Sequence, residues 1–205
     1  MDIVPLEKSD FAIAANCLAA AFAQDPLISH FLPGNAEAKR LALEKMSQGL
    51  LNWAQPYKHI YTTADRPKGV AIWLPPEESD ATLSQLWGLI TSGLLQTPLY
   101  FRWDRLLDLV WLSCIFPQIH EKLMPEPHWY LGMLGVSPQC QGQGVGGKLI
   151  QPILELADRS KTDCYLETTT PSAVQFIEGN GFLTLHQVFF AGHPYWALKR
   201  SPHPD

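Results

Sequence analysis

The sequence is most distinctive at residues 136–148, which read VSPQCQGQGVGGK. An apolar run before this stretch predicts a strand, and the residues after it predict a helix. Four glycines occur within residues 142–147. Glycine lets successive backbone N–H groups converge on an anion, and the free amides of a helix N-terminus add to that attraction. The stretch therefore predicts a loop that binds a phosphate or pyrophosphate. A turn that only packs the helix against the sheet is the alternative.

The spacing of these glycines argues against two common nucleotide sites. The P-loop of ATP- and GTP-binding proteins, GxxxxGK followed by Ser or Thr, is absent from the chain. A dinucleotide fingerprint fits poorly, because the strand lies late in the chain and the spacing over residues 141–146 is QGxGxG.

Hydrophobic periodicity predicts a mixture of strands and helices along the rest of the chain. We expect strands at residues 3–6, 59–63, 69–74, 128–136, 163–168, 182–191 and 195–199. We expect helices at residues 10–23, capped by Ser9, at 35–53, capped by Asn35, and at 82–95, 102–122, 146–160 and 172–179. A βαβ unit joined to an antiparallel N-terminal half predicts an α/β (α+β) fold with a mixed sheet.

Length and composition favour one globular domain over residues 1–205, with a helical insertion at about 80–125. The formal charge of −5 argues against sequence-independent nucleic-acid binding. The most apolar segment, residues 106–116, is too short and too charged for a membrane span. Four separated cysteines without a CxxC pair signal neither a metal nor a redox site. The N-terminus has no apolar core of a signal peptide, so we expect a cytoplasmic protein.

Several motifs resemble the GNAT family of N-acetyltransferases. Residues 141–146 are similar to its acetyl-CoA signature, which is Gln or Arg, two residues, Gly, one residue, then Gly or Ala. Glu167-Thr168 and Phe176 with Gly181-Phe182 resemble the second conserved block of the family. Phe22, Asp25 and Pro26 resemble its opening. The resemblance is close over residues 128–200 and loose over 1–75.

This resemblance implies a GNAT-like fold and a reaction that moves an acetyl group from acetyl-CoA to an amine of a small molecule or protein, without a metal. It implies that loop amides hold the pyrophosphate, that Leu134 and Val136 pair with the pantetheine arm, and that the strands carrying Leu134 and Leu166 splay apart. The implied cofactor-binding residues are Leu134, Gly135, Val136, Gln141, Gly142, Gln143, Gly144, Val145, Gly146, Gly147 and Phe176.

Catalysis requires a base, because an alkylamine with a pKa of about 10.4 is mostly protonated at neutral pH. Glu167, at the end of the strand expected to line the acetyl group, is the first candidate, and a carboxylate that only hydrogen-bonds backbone is the alternative. His128 is the second candidate, with a structural histidine as its alternative. Many family members have a tyrosine acid where this chain has Ile177. Either another group is the acid, or the thiolate, with a pKa of about 8.5, leaves without one.

Other residues have open roles. Tyr130 and Tyr195 are candidate acids, and Asp25 either lines the acceptor pocket or caps a turn. Cys140 is a conceivable acyl-enzyme nucleophile, but nothing near it in sequence activates it, so direct transfer in a ternary complex is favoured.

Two further hypotheses concern the whole protein. In the first, the protein binds acyl-CoA or regulates but is catalytically silent, as the absence of a tyrosine at Ile177 permits. In the second, it is an interaction module whose glycine loop only packs the helix against the sheet. The middle helices, with Trp87, Trp103 and Trp111, are expected to form an acceptor lid or the contact of a homodimer.

Overall fold

Residues 1–76 and 100–203, which the computed structural model describes, form a seven-stranded mixed sheet with α-helices on both faces. The strands are β1 (Ile3–Pro5), β2 (Ile60–Thr63), β3 (Gly69–Leu74), β4 (Trp129–Val136), β5 (Cys164–Thr168), β6 (Leu183–Phe190) and β7 (His193–Arg200). The α-helices are α1 (Phe11–Phe22), α2 (Pro26–Phe31), α3 (Ala36–Ala54), α4 (Leu106–Leu123), α5 (Val145–Ser160) and α6 (Pro171–Glu178).

The strand order is β1-β2-β3-β4-β5-β7-β6. Only the β4–β5 pair is parallel within the described sheet, and α5 connects these two strands. The remaining described pairs are antiparallel, so the predicted mixed sheet with one βαβ unit is confirmed.

Strand β3 shows why the sheet is covered on both faces. All six of its residues are buried. Val70 and Ile72 belong to a core cluster with α1 and α3, whereas Ala71 and Trp73 belong to a second cluster with α5. Successive side chains of a strand point to opposite faces, so an unbroken apolar run fits a strand that has helices on either side.

Most predicted elements agree with the structure to within one or two residues, and Asn35 caps α3 as predicted by accepting from the amide of Ala38. One local prediction was wrong and one helix was missed. Ser9 lies in a short 3-10 turn rather than capping α1. The unpredicted helix α2 begins at Pro26, after Asp25, which has an extended backbone and accepts from the amide of Ile28.

The middle of the chain is described in part. The helix expected at 102–122 is confirmed as α4, preceded by a 3-10 turn at Trp103–Arg105. The helix expected at 82–95 and Trp87 lie outside the described residues. Trp103 is exposed, whereas the ring of Trp111 stacks on Phe190 with a centroid separation of 5.1 Å.

Candidate active site

A cavity of about 840 Å³ opens where β4 and β5 separate. Its lining comes from α1 and α2, from β4 and the glycine loop, from β5 and α6, and from single residues of α4 and β7. The helices of the N-terminal half and the βαβ unit thus meet at one cavity, although they lie far apart in sequence.

The separation of β4 from β5 begins at a defined register. The parallel pairing runs from Trp129–Cys164 to Leu131–Leu166 and goes no further. At the same level Gly132 has no partner in β3, because the pairing shifts from Trp73–Leu131 to Ile72–Met133. A bulge of this kind bends a strand and increases its twist. The splay implied by the resemblance is therefore present, and Leu134 and Val136 line the opening.

The glycine loop has the geometry of an anion cradle. Gly142 and Gly144 have φ of +73° and +74°, and Gly144 is the N-cap of α5. The side chain of Gln141 donates to the carbonyl of Val136 at 3.1 Å and holds the loop in place. Among the described residues, no loop or turn carbonyl accepts from the backbone amides of 141–144. These amides and the first turn of α5 are available to a phosphate.

Phe176 packs directly on the first turn of α5. A Cβ added at Gly146 would lie 3.0 Å from the Phe176 ring, so this close contact favours glycine. The predicted cofactor residues mostly share the cavity. Those that line it are Leu134, Gly135, Val136, Gln141, Gly142, Gly144, Val145, Gly146 and Phe176. Gln143 and Gly147 lie outside the lining, and Gln143 instead donates to the carbonyl of Gln139.

Glu167 lines the same cavity from β5. Its Oε2 accepts a hydrogen bond from the Tyr130 hydroxyl at 2.6 Å. Burial raises the pKa of Glu167 above its usual value, and the hydrogen bond from Tyr130 opposes that rise. A carboxylate with a raised pKa is a better proton acceptor than an exposed one, which fits the predicted base.

The two candidate tyrosine acids differ in position. Tyr195 lines the cavity and its ring packs on Phe116 of α4, with centroids 3.9 Å apart. Tyr130 does not line the cavity, and its hydroxyl is held by Glu167. Burial raises the pKa of Tyr195 and of Tyr130 well above that of a free phenol. Both hydroxyls therefore stay protonated at neutral pH and act as hydrogen-bond donors more readily than as acids.

His128 lies behind the cavity rather than in it. It is 2% exposed and does not line the cavity. Its Nδ1 lies 2.7 Å from the carbonyl oxygen of Glu126, and its Nε2 lies 2.7 Å from Nε2 of His120. His120, on α4, was not predicted from the sequence. Its Nδ1 lies 3.8 Å from Oε1 of Glu167.

Asp25 lies in the cavity wall and caps α2. It lines the cavity, and its two carboxylate oxygens accept from the amide of Ile28 at 2.8 Å and from the Thr169 hydroxyl at 2.7 Å. Asp25 therefore ties the start of α2 to the loop after β5. Cys140 also lines the cavity, and Ile177 lines it while packing into the main core cluster.

The described residues contain neither a cluster of metal ligands nor a membrane-spanning helix. Across residues 1–76 and 100–203, no group of three or more His, Cys, Asp or Glu side chains is arranged to hold a metal ion. No helix in the same residues is long and apolar enough to cross a membrane.

Comparison with known proteins identifies the kind of fold. Residues 103–182 match the model of the acetyltransferase (GNAT) family. An uncharacterized N-acetyltransferase of Schizosaccharomyces pombe is 23% identical over 190 residues, which are 90% of this chain and 75% of that protein. The chain has the GNAT fold, and its predicted resemblance to the GNAT family is confirmed.

Solved structures agree with the GNAT fold. A histone acetyltransferase HPA2 and related acetyltransferase from Corynebacterium glutamicum is 21% identical, with a TM-score of 0.63 over 99% of this chain and 97% of that one. The NatC complex bound to Gag peptide and CoA is 15% identical, with a TM-score of 0.50 over 99% of this chain and 100% of that one. The GNAT match and the relative support an N-acetyltransferase.

Proposed function

We propose that this protein transfers an acetyl group from acetyl-CoA to the amine of a small molecule or protein, by direct attack in a ternary complex. The observation that carries the proposal is that one cavity contains both the glycine-loop cradle and the buried carboxylate of Glu167. The cradle suits the pyrophosphate of CoA, and the carboxylate suits deprotonation of an ammonium group.

The thioester reaches the carboxylate along the unpaired edge of β4. Between Leu131 and Val136 none of the described strands pairs with this edge on the β5 side, so its backbone groups can pair with the amides of the pantetheine arm. Leu134 and Val136 lie on this stretch, and Glu167 lies one residue beyond the last paired residue of β5. We assign the acceptor amine to the part of the cavity near Glu167, Phe116 and Tyr195.

The leaving thiolate departs without a tyrosine acid in this proposal. Ile177 occupies the place of that acid and is 3% exposed within the core. The raised pKa of the Tyr195 phenol makes it a poor proton source for a thiolate with a pKa of about 8.5. Tyr195 instead offers a hydrogen bond, and catalysis comes mainly from holding the amine against the thioester.

Binding is tested first, by isothermal titration of acetyl-CoA into wild type and Gly144→Glu. A glutamate at this position places a negative charge in the anion cradle, so we expect loss of binding. Gly192→Glu is the matched control, because Gly192 also has a positive φ, +82°, and an equally open Cβ position, but lies in the β6–β7 turn outside the cavity. Binding that both variants lose, or both keep, would contradict the site.

Turnover is tested next, by thiol release from acetyl-CoA with a panel of amines. We expect Glu167→Gln to retain acetyl-CoA binding and to lower kcat at least about 100-fold. A decrease of about 100-fold is the low end of the range for loss of a general base. Lines that intersect in double-reciprocal plots support the ternary complex, whereas parallel lines would point to an acyl-enzyme on Cys140. A wild-type protein that binds acetyl-CoA but acetylates no amine would favour a silent acyl-CoA-binding protein.

We also propose a cytoplasmic location. All four cysteines are free, including the buried Cys17 and Cys164, and burial raises the pKa of Cys164 to about 12. Unpaired thiols of this kind suit a reducing compartment. A fluorescent fusion that localised to an oxidising compartment would contradict this.

A further inference from the structure

His120 and His128 form a hydrogen-bonded pair, and the neighbouring groups determine which ring nitrogens carry a hydrogen. The Glu126 carbonyl oxygen can only accept, so Nδ1 of His128, 2.7 Å away, carries the hydrogen. A neutral His128 then has a lone pair on Nε2. Because this nitrogen lies 2.7 Å from Nε2 of His120, His120 must donate to it from Nε2. Two imidazolium rings would place two hydrogens in that gap, so the pair holds at most one positive charge.

The positive charge, when present, is stabilised on His120. Its Nδ1 lies 3.8 Å from the carboxylate oxygen Oε1 of Glu167, whereas Nδ1 of His128 donates to the carbonyl oxygen of Glu126. The His120 ring also stacks on Tyr165, with centroids 4.4 Å apart, and an aromatic face favours a cation. His128 is almost fully buried, which disfavours an imidazolium there.

The surroundings of Glu167 contain no second cation among the described residues that contact it. Its Oε2 accepts from Tyr130 of β4, and Tyr165 of β5 and Tyr195 of β7 face it with neutral phenols. His120 of α4 is the basic group on its remaining side. Glu167 therefore has the cavity in front of it and one titratable base behind it.

We propose that His120 is a positioning residue that receives the proton which Glu167 removes from the acceptor ammonium, and that His128 fixes the tautomer of His120 that allows this. This inference rests on the proposed function. The ammonium N–H bond breaks, its electron pair stays on nitrogen for attack on the thioester, and an O–H bond forms on Glu167. The proton then moves from Oε1 to Nδ1 of His120, which becomes imidazolium, and Glu167 is a carboxylate again. Since 3.8 Å exceeds a hydrogen bond, this transfer needs a small swing of Glu167 or one bridging water.

The proton coupling is tested without any acceptor, by 15N NMR of the imidazole nitrogens between pH 5 and 8. We expect His128 to carry its hydrogen on Nδ1 and neutral His120 to carry it on Nε2. In Glu167→Gln the pKa of His120 should fall, because its anionic partner is lost. The signal of the exposed His186 is the internal reference. A His120 titration unchanged in Glu167→Gln, or a His128 with its hydrogen on Nε2, would overturn the proposal.

The role in transfer is tested by the pH dependence of kcat/KM for an amine found in the panel. In His120→Asn the acid limb should move to lower pH, because the relay requires a neutral His120 as well as an ionised Glu167, and without the imidazole the limb follows Glu167 alone. Above the limb, kcat/KM should be lower than in wild type, because the group that receives the proton is missing. His186→Asn is the control. A purely structural role would lower kcat/KM equally at every pH, and that result would overturn the relay. Failure of the proposed function is recognised by a different result, in which wild type binds no acetyl-CoA although the NMR coupling of His120 to Glu167 is present. That result would overturn the relay together with the acetyl transfer.

Discussion

Ile177 stands where many members of the GNAT family have a tyrosine acid, and it is the clearest departure of this chain from the family pattern. It packs in the main core cluster beside Phe182 and is 3% exposed. A tyrosine there would add a ring and a hydroxyl between the packed core and the cavity. We expect Ile177→Tyr to lose about 1–3 kcal/mol of unfolding free energy, measured in urea, and to gain no transfer rate. Ile177→Leu, of equal volume, should cost less than about 1.5 kcal/mol. A tenfold faster Ile177→Tyr would show that the tyrosine acid is what the site lacks.

Single residues differ in how far local sequence could predict them. The positive φ of Gly142 and Gly144 follows from a tight turn before a helix, which glycine adopts without strain. Glu167 could be predicted as a candidate because it lies at the end of a strand that the apolar pattern predicts. His120 could not, because it lies 47 positions before Glu167, on helix α4 rather than on strand β5, and belongs to no motif. Only the packing of α4 against β4 and β5 brings the two together.

Helix α5 is tied to strand β7 by an ion pair that should make stability depend on pH. Arg200, whose side chain is 5% exposed, donates to both carboxylate oxygens of Asp158 at 2.8 Å. These hydrogen bonds hold the pKa of Asp158 below its usual value. A depressed pKa in the folded state means that the stabilisation is present above the unfolded-state pKa of about 4 and is lost as pH falls through the folded-state value.

We therefore expect Asp158→Asn to cost about 2 kcal/mol of unfolding free energy at pH 7, because Arg200 keeps a buried charge without its partner. The difference from wild type should shrink below about pH 4. Asp163→Asn is the control, since the Asp163–Lys199 pair is more exposed and should be worth less than about 1 kcal/mol. Urea unfolding at pH 7 and pH 3 measures both. A deficit for Asp158→Asn of equal size at the two pH values would contradict the linkage.

The strands and helices of the βαβ unit could be predicted because each has a clear periodicity of apolar residues or a recognisable helix cap. The error at α2 has a local cause. Asp-Pro often ends a helix, but here Asp25 caps the next one, where proline fits the first position because it lacks the N–H that would be unpaired there. The sequence could not decide between these uses, since the outcome depends on Leu27 and Phe31 finding a core cluster with Phe190 of β6.

At the scale of the whole molecule, the order of the elements predicted the sheet, but not which helix would cover the acceptor side of the cavity. That position belongs to α4, which brings Phe116 to the cavity and His120 behind it. Helix packing of this kind depends on side chains distant in sequence, so local patterns do not reveal it. The single domain, the extent of the helical insertion and the homodimer stay predictions.

Acetyl-CoA should stabilise the protein as one unit, because its cavity is lined from both halves of the chain, by Phe22 and Asp25 as well as by Gly144 and Glu167. A ligand at 100 times its Kd adds about 2.7 kcal/mol to the unfolding free energy. For a chain of this length that corresponds to a rise in Tm of roughly 5–10 °C. Calorimetry should show a single transition that moves with acetyl-CoA in wild type and Gly192→Glu, and does not move in Gly144→Glu. Two transitions, of which only one responds to ligand, would mean that the halves unfold separately and that the single-domain prediction is wrong.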